Sequence, residues 1–215
     1  MQNNDSKKPG KNNGPDFHHE RALIAAGHEN ICGVDEAGRG PLAGPVVVSA
    51  LVLDPKNIPP GLNDSKKLSV QKREILFAQI IASASVSIVS APPHIIADLN
   101  IRGATLWAMA QAVTSLYPKP AIALIDGRDI PKDLPCSGQA LVKGDARSLS
   151  IAAASIVAKV MRDRMCLTMD EAAPGFGFKD HKGYGTARHL AALKKLGPSQ
   201  YHRQYFAPVA ALLNI

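Results

Sequence analysis

The sequence predicts an α/β domain, and three observations carry the prediction. Short apolar runs of strand length, at residues 31–34, 46–53, 85–91 and 121–125, alternate with longer stretches of helical pattern. Glycine and proline clusters separate them, as Gly38-Arg39-Gly40-Pro41 separates the first two. Acidic residues follow the runs directly, Asp35-Glu36 after Val34 and Asp126 after Ile125. In an open α/β sheet, sites gather at the carboxyl ends of the strands, so the third observation bears on function as well as fold.

In chain order, residues 1–16 are rich in Asn, Gly, Lys and Pro and predict a disordered tail. Residues 17–26 read as a short helix ended by Gly27. The first strand pair, 31–34 and 46–53, is joined through the acids and the glycine turn. The prolines and glycine of 54–61 make a loop. Ser69 is an N-cap for a helix from Val70 to about residue 81. Residues 85–91 alternate with β-branched side chains, as a strand does, and Pro92-Pro93 stops them. A helical turn at 94–99 precedes a helix over 101–116, with its apolar stripe at Leu106, Met109, Ala110 and Val113. Residues 121–125 form a buried strand tipped by Asp126-Gly127, and 140–142 a further short strand. Lys143-Gly144-Asp145 then leads into a long helix, 148–169, whose small residues Ala152, Ala153, Ala154, Ser155 and Ala158 allow close approach to a sheet. Pro174–Gly177 breaks the chain before a helix over 186–196 and a last one from about Pro208.

Composition narrows the function classes. The chain of 215 residues suits one domain with a small appendage. No apolar run reaches the roughly 18 residues of a membrane span. The N-terminus lacks the apolar segment of a signal peptide, so a cytoplasmic location is expected. Cys32, Cys136 and Cys166 form no CxxC pair, which argues for buried reduced thiols over disulfides or zinc. The net charge is +7, and residues 179–203 carry six Lys/Arg against one acid. That cluster suits a polyanion such as nucleic acid, although a solvated helix face would look the same.

Two adjacent carboxylates at the end of a buried strand are costly unless a cation stands with them. Asp35, Glu36, Asp126 and Asp145 share one address, at strand ends or just before the helix that packs on the sheet. Four converging carboxylates repel one another unless cations sit between them. An all-oxygen donor set suits Mg²⁺ or Mn²⁺. Two such ions roughly 4 Å apart activate a water and stabilise the leaving oxygen of a phosphodiester. With no Ser-His or Cys-His spacing evident, metal-assisted hydrolysis is the coherent chemistry. Any one acid after a strand is an ordinary turn residue, so the weight lies in the set. Asp54, Asp64, Asp98, Asp129 and Asp133 read as structural, and Asp163 as locally paired. The match of residues 38–43 to G-x-G-x-x-A is a decoy, because a dinucleotide fingerprint must open a helix and here a strand follows.

Six segments together resemble bacterial ribonuclease HII, of the type 2 ribonuclease H family. They are VDEAGRGP at 34–41, NDSKKL at 63–68, LIDG at 124–127, KGD at 143–145, AASIVAK at 153–159 and HKGY at 181–184. Each alone is weak; six in the right order over about residues 30–210 are specific. The resemblance implies a ribonuclease H-like fold, a mixed five-stranded sheet flanked by helices, with a helical C-terminal extension. The divisions it suggests are the tail 1–16, an N-terminal helix region 17–28, a catalytic core 29–170 and an extension 171–215 that packs on the core and helps bind substrate. It implies an endoribonuclease that cuts the RNA strand of RNA–DNA hybrids and nicks duplex DNA 5′ of single embedded ribonucleotides, leaving 3′-hydroxyl and 5′-phosphate ends.

By position, the resemblance makes Asp35, Glu36, Asp126 and Asp145 the carboxylates that bind two Mg²⁺ or Mn²⁺ ions, with Asp35 bridging them. Gly38, Arg39 and Gly40 would read the ribose 2′-hydroxyl through main-chain groups, which suits glycine's close backbone approach and the one group that separates RNA from DNA. Tyr184 would stack on the sugar at the RNA–DNA junction, with His181 and Lys182 beside it in a loop that clamps the duplex. Ser65, Lys66 and Lys67 would hold phosphates, and Ser155 and Lys159 would support the site. Type III relatives as a rule lack the arginine between those glycines and carry an N-terminal substrate-binding domain; Arg39 favours type II. A monomer is the state the family suggests. Two other readings stand beside this one, a DNA nuclease or resolvase on the same fold and a catalytically silent nucleic-acid-binding module.

Overall fold

The computed structural model describes residues 14–213. Most of the expected tail, 1–13, lies outside the described residues, while Asp16 bridges to Ser148 and accepts the Leu149 N–H at 3.1 Å. Helix α1 (His18–Ala25) follows. Its Glu20 is fully buried and accepts from the Ser148 hydroxyl at 2.6 Å and the Ser150 N–H at 2.9 Å. A carboxylate at the first turn of the long helix complements its orphan N–H groups and dipole, and so fastens α1 to the core.

Five strands form one sheet in the order β3-β2-β1-β4-β5: β1 (Ile31–Ala37), β2 (Val46–Leu53), β3 (Ala84–Ala91), β4 (Ile122–Asp126) and β5 (Ser137–Leu141). The first three are antiparallel, and β1, β4 and β5 run parallel, which gives the mixed five-stranded sheet expected. Helix α3 (Pro93–Thr114) covers one face; α2 (Val70–Ser83) and α4 (Leu149–Ala172) cover the other. Strand periodicity explains the two cores. Cys32, Val34, Val46, Val48 and Ala50 pack with Ala108, Met109 and Val113 of α3. Leu51 and Leu53 pack with Leu76 and Ile80 of α2 and Ile156 and Val160 of α4. Gly33 faces α4 so closely that a Cβ there would lie 2.1 Å from the Ser150 carbonyl carbon. The small residues of α4 serve this approach, as their pattern suggested.

Three local differences from the sequence reading have physical causes. β5 is Ser137–Leu141 rather than 140–142, because an edge strand with one parallel neighbour need not be apolar, and most of this one faces outward. The helical turn at 94–99 and the following helix are continuous as α3, with a break at Asn100 (φ 55°) whose side chain accepts the N–H groups of Arg102 and Gly103. The short helix α5 (Phe178–His181) was read as loop, being a single turn.

The C-terminal segment continues with α6 (Ala187–Leu196) and α7 (Ala207–Leu213). It has its own core, in which Phe176, Phe178, Leu193 and Val209 bury Leu42, Ala43 and Met169. Phe178 also packs edge-on against His181 and His189. Cys32 and Cys166 are buried free thiols, while Cys136 is half-buried. Among the described residues, no helix is long and apolar enough to cross a membrane.

His202 is 2% exposed, and burial, followed by its neighbour His189, lowers its pKa from 6.5 to about 4. The unfolded chain therefore takes up this proton at a higher pH than the folded one. Stability from His202 is fully present above pH 6.5 and is lost as pH falls from 6.5 to about 4. We expect the unfolding free energy from denaturant titrations to fall across that window by an amount on the order of 3 kcal/mol, and His202→Gln to flatten the upper half of the slope, above the carboxylate range.

Candidate active site

The parallel pairing of β1 with β4 sets Val34 opposite Ile125, so Asp35 and Asp126 emerge side by side at one end of the sheet. Glu36 follows Asp35 with its side chain on the other face, as strand alternation requires. Asp145 lies in a 3-10 turn, Gly144–Ala146, just before α4. That turn is tied to β4 by the Gly144 N–H, which donates to Asp126 Oδ1 at 2.6 Å.

Asp35 is 5% exposed. Burial raises its pKa well above the carboxylate range, and Glu36 and Asp126 raise it further; the Glu36 N–H, 2.7 Å from Oδ1, and the Ser155 hydroxyl offset this in part. Burial also raises Glu36, against the Arg39 guanidinium 3.4 Å away. Burial and then Asp126 raise Asp145. Lys66 is the cation among them. Its own burial favours the neutral amine, but Asp145, Asp35, Asp64 and Asp126 together outweigh this and raise its pKa.

The donors are hard carboxylate oxygens, which fit Mg²⁺ or Mn²⁺ and disfavour softer metals. Three of the four carboxyls are pushed toward the protonated form by burial and one another, the condition that a divalent cation relieves. Among the described residues, no three His, Cys, Asp or Glu side chains are grouped tightly enough to hold an ion as they stand.

Beside the acids, the glycine turn is built by two buried arginines. Arg203 donates from Nη1 to the Arg39 carbonyl at 2.8 Å, from Nη2 to the Gly38 carbonyl at 2.5 Å and from Nε to the Gly44 carbonyl at 2.9 Å. Arg162 donates to the carbonyls of Pro45, Ala43 and Lys182 at 3.1, 3.2 and 2.9 Å. Both are 1% exposed. Gly38 has φ +97°, and a Cβ there would lie 1.8 Å from Arg162 Nε, so conformation and space both demand glycine.

A cleft of about 360 Å³ gathers most of the predicted substrate residues. Glu36, Gly38, Arg39 and Gly40 line it from the strand end, Ser65, Lys66, Ser155 and Lys159 from the helices, and Tyr184 from the C-terminal loop. Ser65 and Ser155 share a 2.9 Å hydroxyl contact, and Arg73 fixes the Ser65 and Leu68 carbonyls. Lys159 is engaged by Asp163 at 2.6 Å, the local pairing expected for that acid one turn along α4, and Asp163 also lies 3.9 Å from Arg73. Lys67 is exposed outside the cleft lining. Lys182 is likewise outside it, with its Nζ directed to the Lys179 carbonyl.

The basic segment 179–203 is less available than its composition suggested. Arg203 is buried, Arg188 pairs with Asp180 at 2.6 Å, and Lys179 lies 3.8 Å from Asp170. Sequence reasoning counted Arg203 as surface charge and passed over Arg162. The signal for Arg162 was present, since it lies seven residues after Ser155 on α4 and so on the same helix face. For Arg203 no local pattern exists.

A family model described as Ribonuclease HII matches residues 32–209. The chain is 56% identical over 195 residues to a ribonuclease HII of Rhizobium leguminosarum bv. trifolii, covering 91% of this chain and 85% of the relative. It is 54% identical over 198 residues to one of Azorhizobium caulinodans, covering 92% and 76%. Ribonuclease H2 from Pyrococcus horikoshii superposes with TM-score 0.71 at 28% identity, covering 86% of this chain and 97% of that one. The Archaeoglobus fulgidus RNase HII, solved with PCNA, gives TM-score 0.71 at 29% identity over 82% and 94%. Bst-RNase HIII, solved with Mn²⁺, shares the fold at TM-score 0.59 and 18% identity, covering 86% and 69%.

Arg203→Lys should strand buried carbonyls that a single ammonium cannot reach together. We expect a loss of about 3 kcal/mol or more, read as a fall in Tm of roughly 6–12 °C by calorimetry.

Proposed function

The chain belongs to the ribonuclease HII family and is a metal-dependent endoribonuclease, and from that premise we propose that it cuts the RNA strand of RNA–DNA hybrids and nicks duplex DNA 5′ of an embedded ribonucleotide. The products would be a 3′-hydroxyl and a 5′-phosphate. The observation that carries this reading is the continuity of the acids with a rigid glycine turn: Asp35 and Glu36 run directly into Gly38-Arg39-Gly40, Arg203 clamps the Gly38 and Arg39 carbonyls, and Glu36 lines the same cleft as the turn.

Asp35, Glu36, Asp126 and Asp145 would hold two divalent ions, Mg²⁺ or Mn²⁺, which supply Lewis acidity and a water of lowered pKa. The chain's own residues do the rest. The turn at Gly38-Arg39-Gly40 presents main chain to the ribose, and the arginine clamp means that no loop ordering is charged against recognition. Arg39 keeps its side chain on Glu36, so its contribution to ribose reading is through the backbone. Lys66, held in its charged form beside the acids, and Ser65, fixed by Ser155 and Arg73, bind backbone phosphate. The Ser155 hydroxyl also lowers the Asp35 pKa and so favours the charged form of the site's most buried carboxylate. Lys159 supports this wall of the cleft. Lys67 and Lys182 lie outside the cleft lining and would meet phosphates farther along the duplex. Tyr184, 48% exposed at the cleft, offers a ring face to the sugar at the RNA–DNA junction.

The deciding experiment is incubation of a duplex carrying one ribonucleotide with and without Mg²⁺, beside an all-DNA duplex. A cut 5′ of the ribonucleotide, requiring the metal and absent from the all-DNA duplex, is expected; cutting of the all-DNA duplex would point to a DNA nuclease instead. Asp35→Asn should lower cleavage at least about a hundredfold while hybrid binding persists in a gel-shift assay; retained cleavage would refute the metal assignment. Tyr184→Ala should reduce cleavage at a lone ribonucleotide by about tenfold, more than it weakens binding to plain duplex. Equal loss of both would count against junction reading.

A further inference from the structure

The backbone at Tyr184 is held by a run of hydrogen bonds that no chemical step uses. His189 Nδ1 lies 2.9 Å from the Tyr184 carbonyl oxygen, and His189 Nε2 lies 3.1 Å from His202 Nε2. His202 Nδ1 lies 3.0 Å from the Ser199 amide nitrogen and 2.9 Å from its hydroxyl. The proton positions follow by elimination. The Ser199 N–H only donates, so His202 Nδ1 accepts and the proton of neutral His202 is on Nε2. That proton is donated to His189 Nε2, which leaves the proton of neutral His189 on Nδ1, facing a carbonyl that only accepts. One tautomer set satisfies every contact, and a second proton on either ring would set two N–H groups against each other. Burial, the leading cause in each case, lowers both pKa values and keeps the rings neutral.

His181 holds the preceding residue in the same manner. Its Nδ1 accepts the Gly183 N–H at 3.2 Å, its Nε2–H donates to the Phe176 carbonyl at 2.9 Å, and its ring stacks on His189 at 4.3 Å. Filling this volume would need only apolar side chains. Three rings with fixed tautomers, ending on the N–H of Gly183 and the carbonyl of Tyr184, are a directional device. We infer that His181, His189 and His202 are positioning residues that set the Tyr184 backbone, and through it the ring beside Gly40, for reading the RNA–DNA junction. This rests on the role proposed above for Tyr184.

The test compares cleavage of a single-ribonucleotide duplex with cleavage of a uniform RNA–DNA hybrid, for the parent, Tyr184→Ala, His189→Phe and His189→Asn. The ratio of the two rates is the readout, because partial unfolding lowers both rates alike and cancels. His189→Phe keeps a ring but removes both polar contacts, so the ratio should fall about tenfold or more, toward that of Tyr184→Ala. His189→Asn returns an amide N–H near the Nδ1 position and should recover most of the ratio. If His189→Phe lowers both rates equally while Tyr184→Ala lowers the ratio, the histidines only stabilise the fold and the inference is overturned. If Tyr184→Ala leaves the ratio unchanged, the reading of Tyr184 itself fails and the inference with it. Should His189→Phe not fold at all, His202→Phe, which removes the Nε2–H donated to His189, is read the same way; a ratio lowered about twofold or more supports the relay, and an unchanged one overturns it.

Discussion

Everything at the cleft depends on one electrostatic constraint: Asp35 is a carboxylate with 5% exposure whose like-charged neighbours include Glu36 and Asp126. Left to itself such a group protonates or moves toward water. Here it cannot move, because it lies within the central strand β1, paired with Ser49 of β2 and one residue past the last β4 pairing at Val34. Compensation from the protein is partial by design. One backbone N–H, the Ser155 hydroxyl and the more distant Lys66 oppose the repulsion without cancelling it. A site meant to hold divalent cations must stay under-neutralised in this way, since a full complement of arginines would neutralise the acids permanently.

That constraint also explains how the available positive charge is spent. Arg162 and Arg203 are buried behind the glycine turn, and apart from a 3.8 Å contact of Arg162 with Cys166 Sγ their hydrogen bonds go to carbonyls rather than to the acids. Burial and then the nearby Arg162 lower the Arg203 pKa to about 9, so it still carries its charge at neutral pH. Its function in the fold is geometric. Guanidinium groups supply several donors in a fixed plane, which suits a turn whose carbonyls point inward and would otherwise be orphaned. Stability of the turn and neutrality of the acids are thereby separated, with different residues serving each.

The acids and the turn were legible in the sequence because their signals are local. A carboxylate directly after an apolar run, or glycines around an arginine, can be read from a few adjacent residues, and the sheet register then brought Asp35 and Asp126 together as the pattern required. The mixed sheet was legible as a class through the resemblance, although β5, an exposed edge strand, had too little apolar character to be bounded correctly. Arg203 and the histidine relay were not legible, because their partners are 165 and 13 residues away and are in part backbone atoms, which leave no trace in side-chain pattern. The charge of residues 179–203 misled for a related reason. Composition counts charges, but whether Arg203 faces a phosphate or a buried carbonyl is decided by packing.

The turn and the Tyr184 loop are joined as one body. The Leu42 N–H donates to the Gly183 carbonyl at 2.8 Å, the Arg203 N–H to the Leu42 carbonyl at 2.9 Å and the Gly44 N–H to the Tyr201 carbonyl at 2.8 Å. Arg162 spans the same gap through Ala43 and Lys182. The chain between β1 and β2 is thus flanked by the C-terminal segment through main-chain bonds, in the manner of an extra strand. The turn and the Tyr184 loop, far apart in sequence and proposed above to read the ribose and the junction, then cannot shift independently. The acids belong to a different body, the sheet, and meet this one only where β1 runs into the turn. On the proposed reading, a substrate that fits both would be placed against the acids by a single continuous stretch of backbone, Val34 to Pro41, and a duplex lacking the ribose would lose its contact at the residues adjoining the reacting centre. Discrimination would therefore act on positioning for the chemistry more than on the overall hold on the duplex, most of which comes from phosphate contacts that DNA and RNA share.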